Sequence, residues 1–204
     1  MGVRDLPTGI VTLLFTDIEG STQLIEALGE GGYVEALAEH RRLLRQSVAA
    51  HGGVEVDTQG DAFLYAFAHP GEALAAAALG QDALAPGPIR VRMGLHTGEL
   101  ALTGEGYAGR ELHRAARIAA TGHGGQVVLS AATRALVDAD LTELGEHRLK
   151  DFPEPVLLFQ VGQERFPPLK TFLLPGPGLS RSWGWTRIAG WSVETSSPIA
   201  CAHC

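Results

Sequence analysis

The chain has 204 residues, 45% hydrophobic and 19% charged, enough for one globular domain and a further segment. Its formal net charge of −7 argues against a non-specific nucleic-acid binder, which needs basic patches to displace phosphate counterions. Both cysteines, Cys201 and Cys204, fall in the last four residues, so no disulfide framework is expected in the body and the expected location is cytoplasmic.

Met1 to Pro7 has no apolar core of a signal peptide, and Leu6 stands where a myristoylation motif needs Ser or Thr. The longest apolar stretch, Ala73 to Leu84, is interrupted by Gln81 and Asp82 and is too short to span a bilayer. No membrane partner is expected.

Ile10 to Thr16 is a short β-rich apolar run that predicts a strand buried on both faces, and Asp17 ends it. Glu19-Gly20-Ser21-Thr22 opens a helix, with Ser21 or Asp17 as candidate caps. Val34, Leu37, Leu44 and Val48 share one face of a second helical stretch, which the glycines of His51-Gly52-Gly53 stop. Val54 to Gln59 and Ala62 to Phe67 predict a hairpin with Asp61 at its tip. An Ala-rich helix follows from Pro70 to Leu84, then a strand from Ile89 to Glu99, a helix from Gly109 to Ala120 and a strand from Gln126 to Leu129. Ser130 caps a short helix to Val137, and Leu144 to Lys150 and Val156 to Val161 form a last strand pair.

The order β-α-β-β-α-β, with additions, predicts an α+β fold: a ferredoxin-like split βαβ core, an antiparallel sheet with helices on one face. After Gly162 all three tryptophans (Trp183, Trp185, Trp191) occur among many Gly, Pro and Ser residues, with no sustained period. Residues 162–204 therefore read as an irregular tail or truncated linker after a domain at 8–161. Cys201-Ala-His-Cys204 lacks the four regularly spaced ligands of a zinc site and reads as part of that tail.

Two carboxylates carry the chemistry. Asp17 stands where a strand enters a helix, and the amides of Ile18 to Ser21, Gly20 included, suit a phosphate. Asp61 stands on the hairpin tip, and a central pairing of the first strand with this hairpin brings the two together. Two like charges so close call for a bridging cation, and oxygen ligands suit Mg²⁺ or Mn²⁺. Spacing alone leaves open a helix cap for Asp17 and a turn residue for Asp61.

Four ordered motifs bear on that choice: Phe15-Thr-Asp17-Ile-Glu-Gly-Ser-Thr22, Thr58-Gln-Gly-Asp61-Ala-Phe63, Arg92-Met-Gly-Leu-His-Thr-Gly98 and Arg114-Ala-Ala-Arg117-Ile118. Together they resemble the class III adenylate/guanylate cyclase catalytic domain over roughly residues 8–161. The resemblance implies a homodimer with ATP or GTP in a cleft between subunits, in intracellular signalling. It implies two metal ions per site, Mg²⁺ or Mn²⁺, held by Asp17, Asp61 and the Ile18 carbonyl. The ribose 3′-hydroxyl attacks the α-phosphorus and pyrophosphate leaves. Arg117 matches the arginine that neutralises transition-state charge, and Lys150 in Gly145-Glu-His-Arg-Leu-Lys150 matches a phosphate-binding lysine.

Three positions depart from the pattern. Asp57 replaces a lysine that contacts adenine in adenylate cyclases; guanylate cyclases carry Glu there. Gly106 falls near a second base-reading position that is often acidic. His113 replaces the asparagine that holds the ribose, four residues before Arg117 on the same helical face. The expected alternative to a cyclase is a non-catalytic nucleotide-binding or dimerising regulatory module on the same fold. An RNA-binding ferredoxin-like domain is disfavoured by the acidic balance and by the lack of an aromatic sheet motif.

Overall fold

The computed structural model describes residues 6–171 of the chain. In chain order its elements are β1 (Gly9–Ile18), α1 (Ser21–Ala50), β2 (Val54–Gln59), β3 (Ala62–Phe67), α2 (Pro70–Leu84), β4 (Val91–Thr103), β5 (Gly106–Ala108), α3 (Arg110–Thr121), β6 (Val127–Ser130), α4 (Ala131–Arg134), β7 (Leu141–Arg148) and β8 (Pro155–Val161). One eight-stranded sheet runs β2-β3-β1-β4-β6-β8-β7, with β5 added to β4. β1 pairs antiparallel with β3 on one side and β4 on the other, so β1α1β2β3α2β4 forms the expected ferredoxin-like core.

β1 is buried on both faces because its two sets of alternating side chains meet two different layers. Leu14 and Ile18 join Phe63, Tyr65, Met93 and Leu95 under Leu44 and Val48 of α1 and Ala73 and Ala77 of α2. Val11, Leu13 and Phe15 face the other way, with Leu64 and Ala66, against Leu112, Ala115 and Ala119 of α3. The expectation of helices on one face therefore holds for α1 and α2 of the core and is corrected for α3, which covers the opposite face. The sheet is also not wholly antiparallel, since β4 and β6 pair in parallel.

Several local expectations change. The two helical stretches after Asp17 form one helix interrupted at Gly29, whose φ of 71° and ψ of 166° break the helical path. Gly20, in the left-handed region at φ 70°, is the N-cap, so neither Ser21 nor Asp17 caps the helix. Of the expected apolar face, Leu44 and Val48 are buried, whereas Val34 is exposed. The short helix after Ser130 stops at Arg134, although Ser130 does cap it by accepting the Thr133 N–H at 3.3 Å. β4 runs on to Thr103 and turns into β5, a strand the sequence reading lacked.

Two glycines of the Arg92–Gly98 motif let α3 approach the sheet. A Cβ on Gly94 would lie 2.4 Å from the backbone N and Cα of Ala119, and one on Gly98 would lie 2.9 Å from Glu111 Cγ. From Gly162 to Thr171 the chain stays against the domain. Leu169 packs beside the cluster of Ile118, Val128, Leu149, Phe152 and Leu158, and the Lys170 N–H donates to Thr121 O at 2.8 Å. Trp183, Trp185, Trp191, Cys201 and Cys204, and the part of the expected irregular tail that holds them, lie outside the described residues. Among the described residues no helix is long and apolar enough to cross a membrane.

His40 of α1 is 1% exposed, its ring tilted against Phe63, and neither ring nitrogen has a hydrogen-bond partner. Burial, with Arg41 beside it, pushes its pKa down to about 4. The folded state holds this ring neutral while the unfolded chain protonates it, so its contribution is full above the unfolded value and lost as pH falls. His40→Phe is expected to flatten the decline in stability between roughly pH 6.5 and 4, an effect on the order of 2–3 kcal/mol, read from urea midpoints across pH. Gly94→Ala forces backbone against backbone and should cost roughly 2–4 kcal/mol by the same measurement. Gly104→Ala, with nothing within 4 Å of the added Cβ, should stay within about 0.5 kcal/mol.

Candidate active site

The β1–β3 ladder ends at Thr16↔Phe63, one hydrogen-bonded pair short of Ile18 and Asp61. On the other edge of β1 the ladder continues, with the Glu19 N–H donating to Arg90 O at 2.9 Å. The alternation that makes Glu19 face β4 turns the Ile18 carbonyl toward the β3 side, where Asp61 stands. The end of one strand and the tip of the adjacent hairpin thus bring Asp17, Ile18 and Asp61 to one place.

The two carboxylates there are held differently. Arg92, the register partner of Asp17 on β4, donates to Asp17 Oδ2 through Nε at 2.9 Å and also through Nη2. Asp61 is half-buried and has no guanidinium fork on it; Arg41 of α1 donates instead to the Gly60 carbonyl at 2.6 Å. Burial and then the Asp17 charge raise the Asp61 pKa, against the lowering effects of its own backbone N–H, the Ser21 hydroxyl and Arg41. Asp61 Oδ2 is buried with no hydrogen-bond partner. Tyr33 of α1 borders the same charges: burial first, then Asp61, raises its pKa. A buried oxygen without a donor, a second carboxylate close by and a strand-end carbonyl form a hard oxygen set that fits Mg²⁺ or Mn²⁺. Among the described residues no three His, Cys, Asp or Glu side chains converge on a metal position.

Gly20 and Ser21 border the pair. No side chain caps α1, so its first-turn amides are open to an anion, and Ser21 spends its hydroxyl on Asp61. Glu19 points away: it accepts from the Gly124 N–H at 2.7 Å and from Lys170.

Arg117 and Lys150 lie elsewhere, where α3 touches the β7–β8 turn. Arg117 Nη2 donates to Asp151 Oδ2 at 2.6 Å, and Lys150 is the adjacent residue. His113 is exposed one helical turn before Arg117.

The two base-reading positions make local contacts. Asp57 sits in β2 beside a bulge between Glu55 and Asp57, and its carboxylate accepts from the Thr58 N–H at 2.7 Å and from Gln59 Nε2 at 3.1 Å. Gly106 opens β5 at φ 124°, a backbone that favours glycine, with its carbonyl held by the Thr103 hydroxyl at 2.8 Å.

Sequence reasoning missed Arg92, Arg41, Tyr33 and a buried polar chain behind α3. In that chain His96 Nδ1 meets Ser130 Oγ at 2.8 Å, His96 Nε2 meets Glu111 Oε2 at 2.6 Å, and Arg114 donates to the same Glu111 oxygen at 3.0 Å. It fixes the helix that bears His113 and Arg117. The available signal was the polar His96-Thr97 pair in the middle of β4, between the apolar Met93 and Leu95 on one side and Leu100 on the other.

Residues 3–163 match the family model of the adenylate and guanylate cyclase catalytic domain, and the chain belongs to that family. It is similar to an uncharacterized protein of Mycobacterium tuberculosis, 42% identical over 177 residues that cover 81% of this chain and 61% of that protein. A receptor-type adenylate cyclase of Trypanosoma congolense is 32% identical, over 76% of this chain and 28% of that protein. The chain thus spans about three fifths of its mycobacterial relative and a smaller share of the trypanosomal one. A solved structure of adenylate cyclases from Trypanosoma brucei in their monomeric state superposes with a TM-score of 0.74 at 27% identity, covering 82% of this chain and 97% of that one.

Because the folded state favours protonated Asp61, its contribution to stability is present at acid pH and lost as pH rises through the raised pKa. Asp61→Asn should therefore melt above the wild type at pH 7 without metal, the gap closing toward the ordinary carboxylate range. Adding Mn²⁺ should raise the melting temperature of the wild type and leave the variant unmoved. Thermal melts at several pH values, with and without Mn²⁺, check both signs.

Proposed function

We propose that the chain is a nucleotidyl cyclase, converting ATP or GTP to a 3′,5′-cyclic nucleotide and pyrophosphate at a site shared by two copies, with residues 8–161 as the catalytic domain. The observation that carries this reading is the Asp17–Asp61 pair with its unpartnered buried oxygen, set beside an uncapped helix start. Asp17, Asp61 and the Ile18 carbonyl would hold two Mg²⁺ or Mn²⁺ ions. When bound, these supply the charge that activates the ribose 3′-hydroxyl and stabilises the departing pyrophosphate.

The protein's own groups do the rest. Arg92 orients Asp17 through one oxygen and leaves the other for coordination. The amides that follow Gly20, with Ser21, receive phosphate oxygens at the positive end of α1. Arg117 neutralises charge that develops on the α-phosphate, Lys150 binds the phosphate chain, and His113 meets the ribose. Arg117 is fixed by the β7–β8 turn and the carboxylates by α1 and β4, two separate neighbourhoods. That separation supports a homodimer in which each copy completes the other's site.

A non-catalytic nucleotide-binding or dimerising module is the second reading. Asp57 favours it, because both of its oxygens are engaged within β2. The two readings diverge in an assay of the whole chain with ATP and with GTP, each with Mn²⁺ and Mg²⁺. The cyclase reading expects cyclic product from at least one nucleotide, and a fall in kcat of roughly 10²–10³-fold in Arg117→Ala. An equimolar mixture of Arg117→Ala and Asp61→Ala should regain part of the lost activity, since a mixed dimer keeps one intact site. No cyclic product at high enzyme concentration leaves the second reading standing.

A further inference from the structure

The turn that meets Arg117 has an unusual residue at its centre. Leu149, Lys150, Asp151 and Phe152 form a four-residue turn closed by the Phe152 N–H on Leu149 O at 3.2 Å. Asp151, at its third position, has φ 67° and is the only non-glycine among the described residues at positive φ. That backbone favours glycine, and aspartate tolerates it better than most residues. The Asp151 carboxylate makes a 2.6 Å ion pair with Arg117.

The turn has little room to retreat. Leu149 and Phe152 are buried in the cluster with Ile118, Val128 and Leu158, and the guanidinium groups of Arg110 and Arg114 each lie 5.1 Å from the centre of the Phe152 ring. Between these anchors only Lys150 and Asp151 are exposed. The Asp151 side chain is 59% exposed and that of Arg117 29%, so the ion pair is open to solvent and weak enough to be exchanged.

We propose that Asp151 is an internal counter-ion for Arg117, a positioning residue that occupies the arginine until a nucleotide triphosphate displaces it. This rests on the reading of Arg117 as a phosphate ligand. The carboxylate holds the guanidinium in place while substrate is absent and competes with phosphate oxygens for the same N–H donors. A phosphate, with more charge and a geometry suited to the guanidinium fork, wins the exchange. Because the turn is anchored, Asp151 stays close after displacement and its charge opposes the incoming phosphates. The residue therefore sets a threshold on nucleotide affinity.

The test is titration calorimetry of the whole chain with Mn²⁺ and ATP, and separately with Mn²⁺ and GTP. Variants are Asp151→Asn, which keeps a residue tolerant of positive φ, Asp151→Gly, which also relieves the backbone, Arg117→Ala, and the double variant Asp151→Asn/Arg117→Ala. The expected result is roughly two- to tenfold tighter binding in both Asp151 variants. It should be accompanied by weaker binding in Arg117→Ala and no gain from Asp151→Asn in that background. Where turnover is measurable, KM should fall in Asp151→Asn with kcat changed less. A purely structural role would instead lower the unfolding midpoint of both Asp151 variants and leave affinity unchanged, which overturns the proposal. A gain that persists without Arg117 also overturns it. If Arg117→Ala binds nucleotide as the wild type does, the phosphate role of Arg117 fails and the proposal with it. If Arg117→Ala weakens binding and neither Asp151 variant tightens it, the counter-ion role alone fails. Binding by none of the proteins overturns both.

Discussion

From Val11 to Thr16 strand β1 has no face turned to water, and that constraint organises the molecule. Its even-numbered residues need one layer of helices and its odd-numbered residues another, while β3 and β4 occupy both of its edges. A strand so enclosed can expose polar chemistry only where it ends. Asp17 and Ile18 are that end, and the hairpin tip with Asp61 comes to the same place because β3 pairs with β1. The position of the carboxylates thus follows from burying the central strand.

Charge then separates the two ends of the candidate site. Around Asp17 and Asp61 the chain supplies one guanidinium on Asp17 and leaves a buried oxygen of Asp61 without a donor. Around Arg117 it supplies a carboxylate from the neighbouring turn. In each neighbourhood a charged protein group already holds one of the candidate side chains: Arg92 on Asp17 and Asp151 on Arg117. Such groups keep side chains oriented in the absence of ligand.

Much of this was legible in the sequence, and the gaps have physical causes. The hairpin at Gly60-Asp61 was readable because strand-forming runs flank a turn pair. The side of the sheet that α3 covers was not, because a strand apolar on both faces carries no mark of which helix packs where. β5, only Gly106–Ala108, is too short to show alternation. The break at Gly29 hid inside a stretch of small residues whose pattern is helical on either side. The pairing of Arg92 with Asp17 depends on the β1–β4 register across a separation of 75 residues, which local pattern does not encode. The closeness of Asp17 and Asp61 followed from strand order, whereas the local bonds of Asp57 with Thr58 and Gln59, and of the Gly106 carbonyl with Thr103, depend on side-chain positions that no sequence pattern shows.

The bulge in β2 has a consequence of another kind. β2 is one border of the sheet, and an edge strand offers unpaired backbone groups to any extended segment that passes. Here the border is irregular between Glu55 and Asp57 and carries two acidic side chains, one of them bonded to Arg45. A straight strand laid beside it would lose register at the bulge and bring its partners against negative charge. The same irregularity that ties up Asp57 therefore guards the sheet against growing by strand addition, the route by which open β-edges aggregate.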